Sequence, residues 1–134
     1  MISPQAALVY TMVVAAESDR EVVDAEIHII GDLVNHLPIF KTMDRAEVTG
    51  MATACSTLLA RENGLDQVFS QIREALPAPL RETAYALACD VIAVDSRLQK
   101  DEMQALERIR QQLEVDPTTA RTIERAAQVR FQAA

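Results

Sequence analysis

Apolar residues recur along this chain at spacings of three and four, the signature of helices that bury one face. Ser3-Pro4 offers an N-cap and a first-turn proline, and Leu8, Val9, Met12, Val13 and Ala16 carry the pattern on, predicting a helix from about Pro4 to Glu17. A second is predicted from about Val23, with Ile27, Ile30, Leu33, Val34 and Leu37 on one face and Pro38 as its stop. Thr42 or Asp44 opens a third, with Glu47 at the capping-box position and a stripe of Val48, Met51, Ala52, Cys55, Leu58 and Leu59. Asn63-Gly64 closes it through a left-handed cap. Further helices are predicted at about Leu65–Leu76, where Pro77-Ala-Pro79 intervenes, at Pro79–Val94 with Tyr85, Leu87, Ala88, Val91 and Ile92 as its bulk, at Gln99–Leu113, and at about Pro117–Phe131 behind an Asp116 cap. No segment reads convincingly as a strand, so the expected fold is all-α: one compact domain over residues 1–134, of about seven helices.

The periodicity contains a repeat. Asp19-Arg-Glu-Val22-Val-Asp-Ala-Glu26 shares the spacing Asp-x-x-aliphatic-x-x-x-Glu with Asp95-Ser-Arg-Leu98-Gln-Lys-Asp-Glu102, 76 residues later. The match runs on, because Ile27, Ile30, Leu33 and Leu37 fall in register with Met103, Leu106, Ile109 and Leu113. Two pseudo-repeated helical hairpins, at about 4–37 and 80–113, are predicted, each with a carboxylate-rich bend.

Composition narrows the class. Of 134 residues, 49% are hydrophobic but only 4% aromatic, with no Trp, a palette suited to closely packed helices. A net charge of −7 argues against nucleic acid, whose phosphates call for clustered Lys and Arg. The opening residues lack a basic leader and no apolar run reaches the ~20 residues of a membrane span, so a soluble, cytoplasmic chain without membrane insertion is expected. Cys55 and Cys89 stand in apolar stretches at no metal-ligand spacing and read as small buried hydrophobes, and the scattered Met residues read as core filler.

The candidate chemistry lies in the bends. In each, the Asp falls where one helix ends and the Glu early in the next, so a turn folds Asp19 toward Glu26 and Asp95 toward Glu102, with Val22 or Leu98 plugging the hairpin core. Hard divalent cations such as Ca²⁺ take oxygen ligands of this kind, and Glu17, Glu21, Asp24 and Asp101 add negative charge nearby. The competing reading is capping, since helix N-termini attract carboxylates. Neither bend is an EF-hand, whose twelve-residue loop has Gly sixth and a bidentate acid last: counted from Asp19 those positions hold Asp24 and Ile30, and from Asp95 they hold Lys100 and Leu106. A di-iron bundle requires Glu-x-x-His twice, but His28 and His36 follow Ala25 and Leu33 at that spacing and read as surface residues. No hydrolase or phosphate-loop motif is present, so no catalytic residue is assigned. Asp90, the one acid in the run Ala86–Val94, occupies the repeat position of Val14 and is read as the polar face of an exposed helix in preference to a further ligand.

Ala15-Ala-Glu-Ser-Asp19 followed by Glu26, Ile30-Gly-Asp-Leu33, Ile39-Phe40 with Asp44-Arg-Ala-Glu-Val48, Ala93-Val-Asp95 followed by Glu102, and Leu113-Glu-Val-Asp-Pro117 together give the chain a family likeness. It resembles the TerB domain of bacterial tellurite-resistance systems, related to the amino-terminal domain of a membrane-anchored DnaJ-like co-chaperone, over nearly its whole length. The resemblance implies a compact helical, non-enzymatic binding or scaffold module of a stress response. It further implies weak binding of Ca²⁺ or another divalent cation at Asp19, Glu26, Asp95 and Glu102, and a protein partner, such as a membrane-associated resistance component. The family's usual Asp-Gly is replaced by Asp19-Arg20 and Asp95-Ser96; a left-handed backbone there costs Arg or Ser about 1 kcal/mol or more, and Arg20 brings a cation to the acids. A purely protein-binding module with capping acids is the alternative reading, and a carboxylate-dependent enzyme a third.

Overall fold

A computed structural model describes residues 1–16, 30–93 and 100–132, the side chains of residues 100–102 excepted. Helix α1 spans Pro4–Ala16, α2 is a short helical stretch at residues 30–34, and a 3₁₀ turn, Pro38–Phe40, follows it. Then come α3 (Arg45–Leu59), α4 (Gly64–Ala75), α5 (Ala78–Ala93), α6 (Lys100–Leu113) and α7 (Pro117–Arg130). The described residues contain no strand.

Local chemistry explains these boundaries. Ser3 Oγ accepts from the Ala6 amide at 3.1 Å and starts α1, as Ser3-Pro4 predicts. Asp44 caps α3 by accepting from the Glu47 amide at 2.8 Å, and Asp116 caps α7 by accepting from the Thr118 and Thr119 amides. Between α3 and α4 the left-handed residue is Asn63, at φ 59°. Gly64 is required for a different reason: a Cβ there would lie 2.2 Å from the Leu58 carbonyl oxygen. The α6 terminus is a Schellman closure, with Glu114 left-handed, its amide donating to the Gln111 carbonyl and the Val115 amide to the Arg110 carbonyl.

The body is organised around α1. Every residue from Ala6 to Ala16 is buried, so this helix is apolar all round and not merely along the stripe that its spacing suggested. Thr11, fully buried, donates its hydroxyl to the Ala7 carbonyl at 2.8 Å. Helices α3, α4, α5 and α6 pack on α1, and α5 in turn carries α6 and α7. Ile30, Val34 and Phe40 close one side, and Gln5 Nε2 donates to the Ile39 carbonyl to tie the 3₁₀ turn to α1.

In the opposing hairpin α6 contributes Leu106, Ile109 and Leu113 to the core, matching the repeat register. Met103, the first residue of that register, is instead 59% exposed, and Met1 also lies on the surface, so only part of the methionine set fills the core. Met12 is fully buried and Met43 and Met51 pack against the cluster. Of the predicted α3 stripe, Val48, Ala52 and Cys55 are buried, while Met51, Leu58 and Leu59 are partly covered.

Candidate functional site

Asp19, Glu26 and Asp95, with their neighbours Glu17, Arg20, Glu21, Asp24 and Ser96, lie outside the described residues. Glu102 belongs to the first turn of α6, its side chain outside the description. What is defined is the frame. The two helices that precede the acidic segments in sequence, α1 and α5, pack directly on each other. Among the described residues no group of three or more His, Cys, Asp or Glu side chains is placed to hold a metal ion.

Two carboxylates near these frames are engaged by arginines. Asp32, just after the start of α2, accepts from Arg45 Nη2 at 2.5 Å. Gly31 leaves room for this pair, since a Cβ at that position would lie 3.2 Å from the Arg45 guanidinium. Ion pairing thus joins two of the segments that carry the family likeness, Ile30-Gly-Asp-Leu33 and Asp44-Arg-Ala-Glu-Val48.

Asp90 corrects the expectation of an exposed polar face. Its side chain is only 16% exposed and is paired with Arg130 from the last turn of α7. Burial pushes its carboxyl above the ordinary aspartate range, against the opposing pull of the Arg130 guanidinium. A carboxylate already matched by a guanidinium is a poor additional ligand for a cation.

Asp90 belongs to a polar seam along α5, α6 and α7. Tyr85, the largest fully buried side chain among the described residues, donates its hydroxyl to Glu124 Oε2 at 2.6 Å. Arg121 pairs with the same Glu124 oxygen at 2.9 Å and reaches Glu107 at 3.9 Å. Glu107 in turn accepts from Arg110, which holds its carboxyl below the usual glutamate range, and Arg110 also donates to the Val115 carbonyl. Burial, reinforced by the Glu124 hydrogen bond, raises the Tyr85 phenol far above its ordinary value. Burial likewise pushes the neighbouring Cys89 thiol up to about 12, which leaves it protonated at neutral pH and without nucleophilic character.

Both cysteines are buried as expected, Cys55 against the Tyr10 carbonyl of α1. His36 is exposed, as its surface reading anticipates, and His28 lies outside the described residues. The seam escaped sequence reasoning. Its one legible signal is Asp90 itself, an acid inside an apolar helical run, which requires a cation from another element; nothing in the spacing says that the cation is Arg130.

No helix among the described residues is long and apolar enough to cross a membrane. No curated protein and no solved structure matches the chain. The family model of the tellurite resistance protein TerB does match, over residues 5–128. That match takes in every described helix but the first residue of α1 and the last two of α7, together with both acidic bends, and the chain therefore belongs to the TerB family.

Proposed function

We propose that this protein is a non-enzymatic binding and scaffold module of a bacterial tellurite-resistance response, whose two acidic bends bind Ca²⁺ or another divalent ion weakly. The observation that carries the reading is the recurrence of Asp-x-x-aliphatic-x-x-x-Glu at both bends of a chain matched to TerB. The proposed ligands are Asp19, Glu26, Asp95 and Glu102, carboxylates of the type that hard cations prefer. The packing of α1 on α5 supports it, because the two helices that precede the acidic segments share one core.

The same acidic surface is the proposed contact for a basic patch on a protein partner, such as a membrane-associated resistance component. A second reading, in which the acids only cap helices and solvate a protein-docking surface, is favoured by Arg20, a cation already built into the first bend. Calorimetric titration with calcium separates the two. Saturable heat in the wild type that disappears in Asp19→Asn/Asp95→Asn supports the cation site, and no heat at millimolar calcium rejects it in favour of the protein-docking reading.

A further inference from the structure

Helix α7 is fastened differently from every other long helix. Among the described residues its packing is principally on α5, whereas α6 rests on α1, α4 and α5 together. The residues that α7 buries fully are two alanines, Ala120 and Ala127, with Ile123 partly covered; α6 buries Leu106, Ile109 and Leu113. Along most of its length α7 is exposed.

In place of bulky apolar side chains, α7 is pinned by polar contacts. Near its middle Glu124 accepts from the buried Tyr85 hydroxyl, and in its last turn Arg130 pairs with the half-buried Asp90. Between Tyr85 and Asp90 on α5 lies Cys89, almost wholly covered. Such polar contacts contribute less net free energy than the bulky apolar burial that holds α6, so α7 is the more weakly held of the two helices. A 14-residue helix in water is marginal, and detachment therefore melts it.

We propose that α7 is a releasable strap: it leaves α5 as a unit while α1 and α3–α6 stay packed, uncovering the α5 face that carries Tyr85, Cys89 and Asp90. This opening is a conformational device of the body itself and is independent of cation binding at the bends. Cys89 reports it, because the thiol becomes reactive once α7 departs. Cys55, enclosed between α3 and α1, stays covered until the whole body unfolds and serves as the internal reference.

The test is native-state thiol labelling of the full chain at pH 8 without denaturant, with each cysteine followed by peptide mass spectrometry. Cys89 is expected to label at least about tenfold faster than Cys55, and Arg130→Gln or Glu124→Gln to raise the Cys89 rate by about a further fivefold while leaving Cys55 unchanged. Hydrogen exchange on the wild type gives a measurement that needs no variant: amides of residues 117–130 are expected to open as a block, less protected than those of 78–93. Labelling of both cysteines at one common rate, or exchange of the two segments in a single cooperative step, overturns the proposal.

Discussion

Helices α1 and α5 hold equivalent places, each preceding one copy of the acidic sequence spacing, and they pack against each other, yet their surroundings differ. Helix α1 is enclosed on all sides, while α5 buries Ala84, Tyr85, Leu87, Ala88, Cys89 and Ile92 and leaves Glu82 exposed. The contrast is sharpest where the repeat places Val14 opposite Asp90. Val14 is buried among apolar neighbours, and Asp90 is half-buried beside a guanidinium supplied by α7. A recurring sequence spacing thus fixes where two helices stand without fixing what covers them, and the cover decides which residue a position accepts.

Exchanging these two residues breaks the comparison most severely. Val14→Asp places a carboxylate in the enclosed helix, and it is expected to cost about 4 kcal/mol or more by urea unfolding, the penalty of a buried, unpaired charge. Asp90→Val is expected to stay within about 1 kcal/mol of the wild type, since Arg130 is exposed enough to return to water. Similar losses from both substitutions would show that α5 is as enclosed as α1. Next in size is Leu8→Ala, which empties a fully buried site of α1 and is expected to lower stability by about 3 kcal/mol in the same assay.

How much of this could be read beforehand follows from the range of the forces involved. The caps at Ser3, Asp44 and Asp116 act over three residues or fewer, and each was visible in the sequence as a cap signal at the start of an apolar period. The apolar period also marked Leu106, Ile109 and Leu113 as core, but it could not show that Met103, one turn earlier, stays largely exposed. Long-range polar partners were not legible: Tyr85 meets Glu124 across 39 positions of sequence and Asp90 meets Arg130 across 40. The same limit applies to the proposed cation site, whose ligands stand 76 residues apart in two bends and have only their spacing to link them.

The polar seam gives a smaller effect than the core. Tyr85→Phe removes the hydroxyl but leaves Glu124 paired with Arg121, so a loss of about 1 kcal/mol is expected in urea unfolding. The pH dependence separates the two carboxylates of α5 and α6 by sign. Asp90 has a raised folded value, so its contribution destabilises as pH rises from the ordinary aspartate range through that raised value, and it has no effect at lower pH. Glu107 has a lowered folded value, so its contribution is present above the ordinary glutamate range and is lost as pH falls through the lowered one. Urea midpoints from pH 3 to 7 are expected to flatten on the acid side in Glu107→Gln and to lose the opposing decline in Asp90→Asn. Parallel curves for both variants and the wild type would remove the distinction.

The smallest expected effect lies at Glu114, where α6 turns toward α7. A non-glycine residue at φ 58° carries a left-handed penalty of about 1 kcal/mol, which Gly does not. Against this, Glu114→Gly gives up an exposed ion pair with Arg81, which spans 3.2 Å and contributes a few tenths of a kcal/mol at most. Arg81 keeps its other duty, donating to the Leu76 and Arg73 carbonyls to close α4. A net gain of about 0.5 kcal/mol in thermal or urea unfolding is expected for Glu114→Gly, while Glu114→Ala, which keeps the strain and loses the pair, is expected to fall slightly below the wild type. If both variants lost stability equally, the Arg81 contact and not the backbone would set the value of this position, and the α6–α7 turn would be held from α5 by charge.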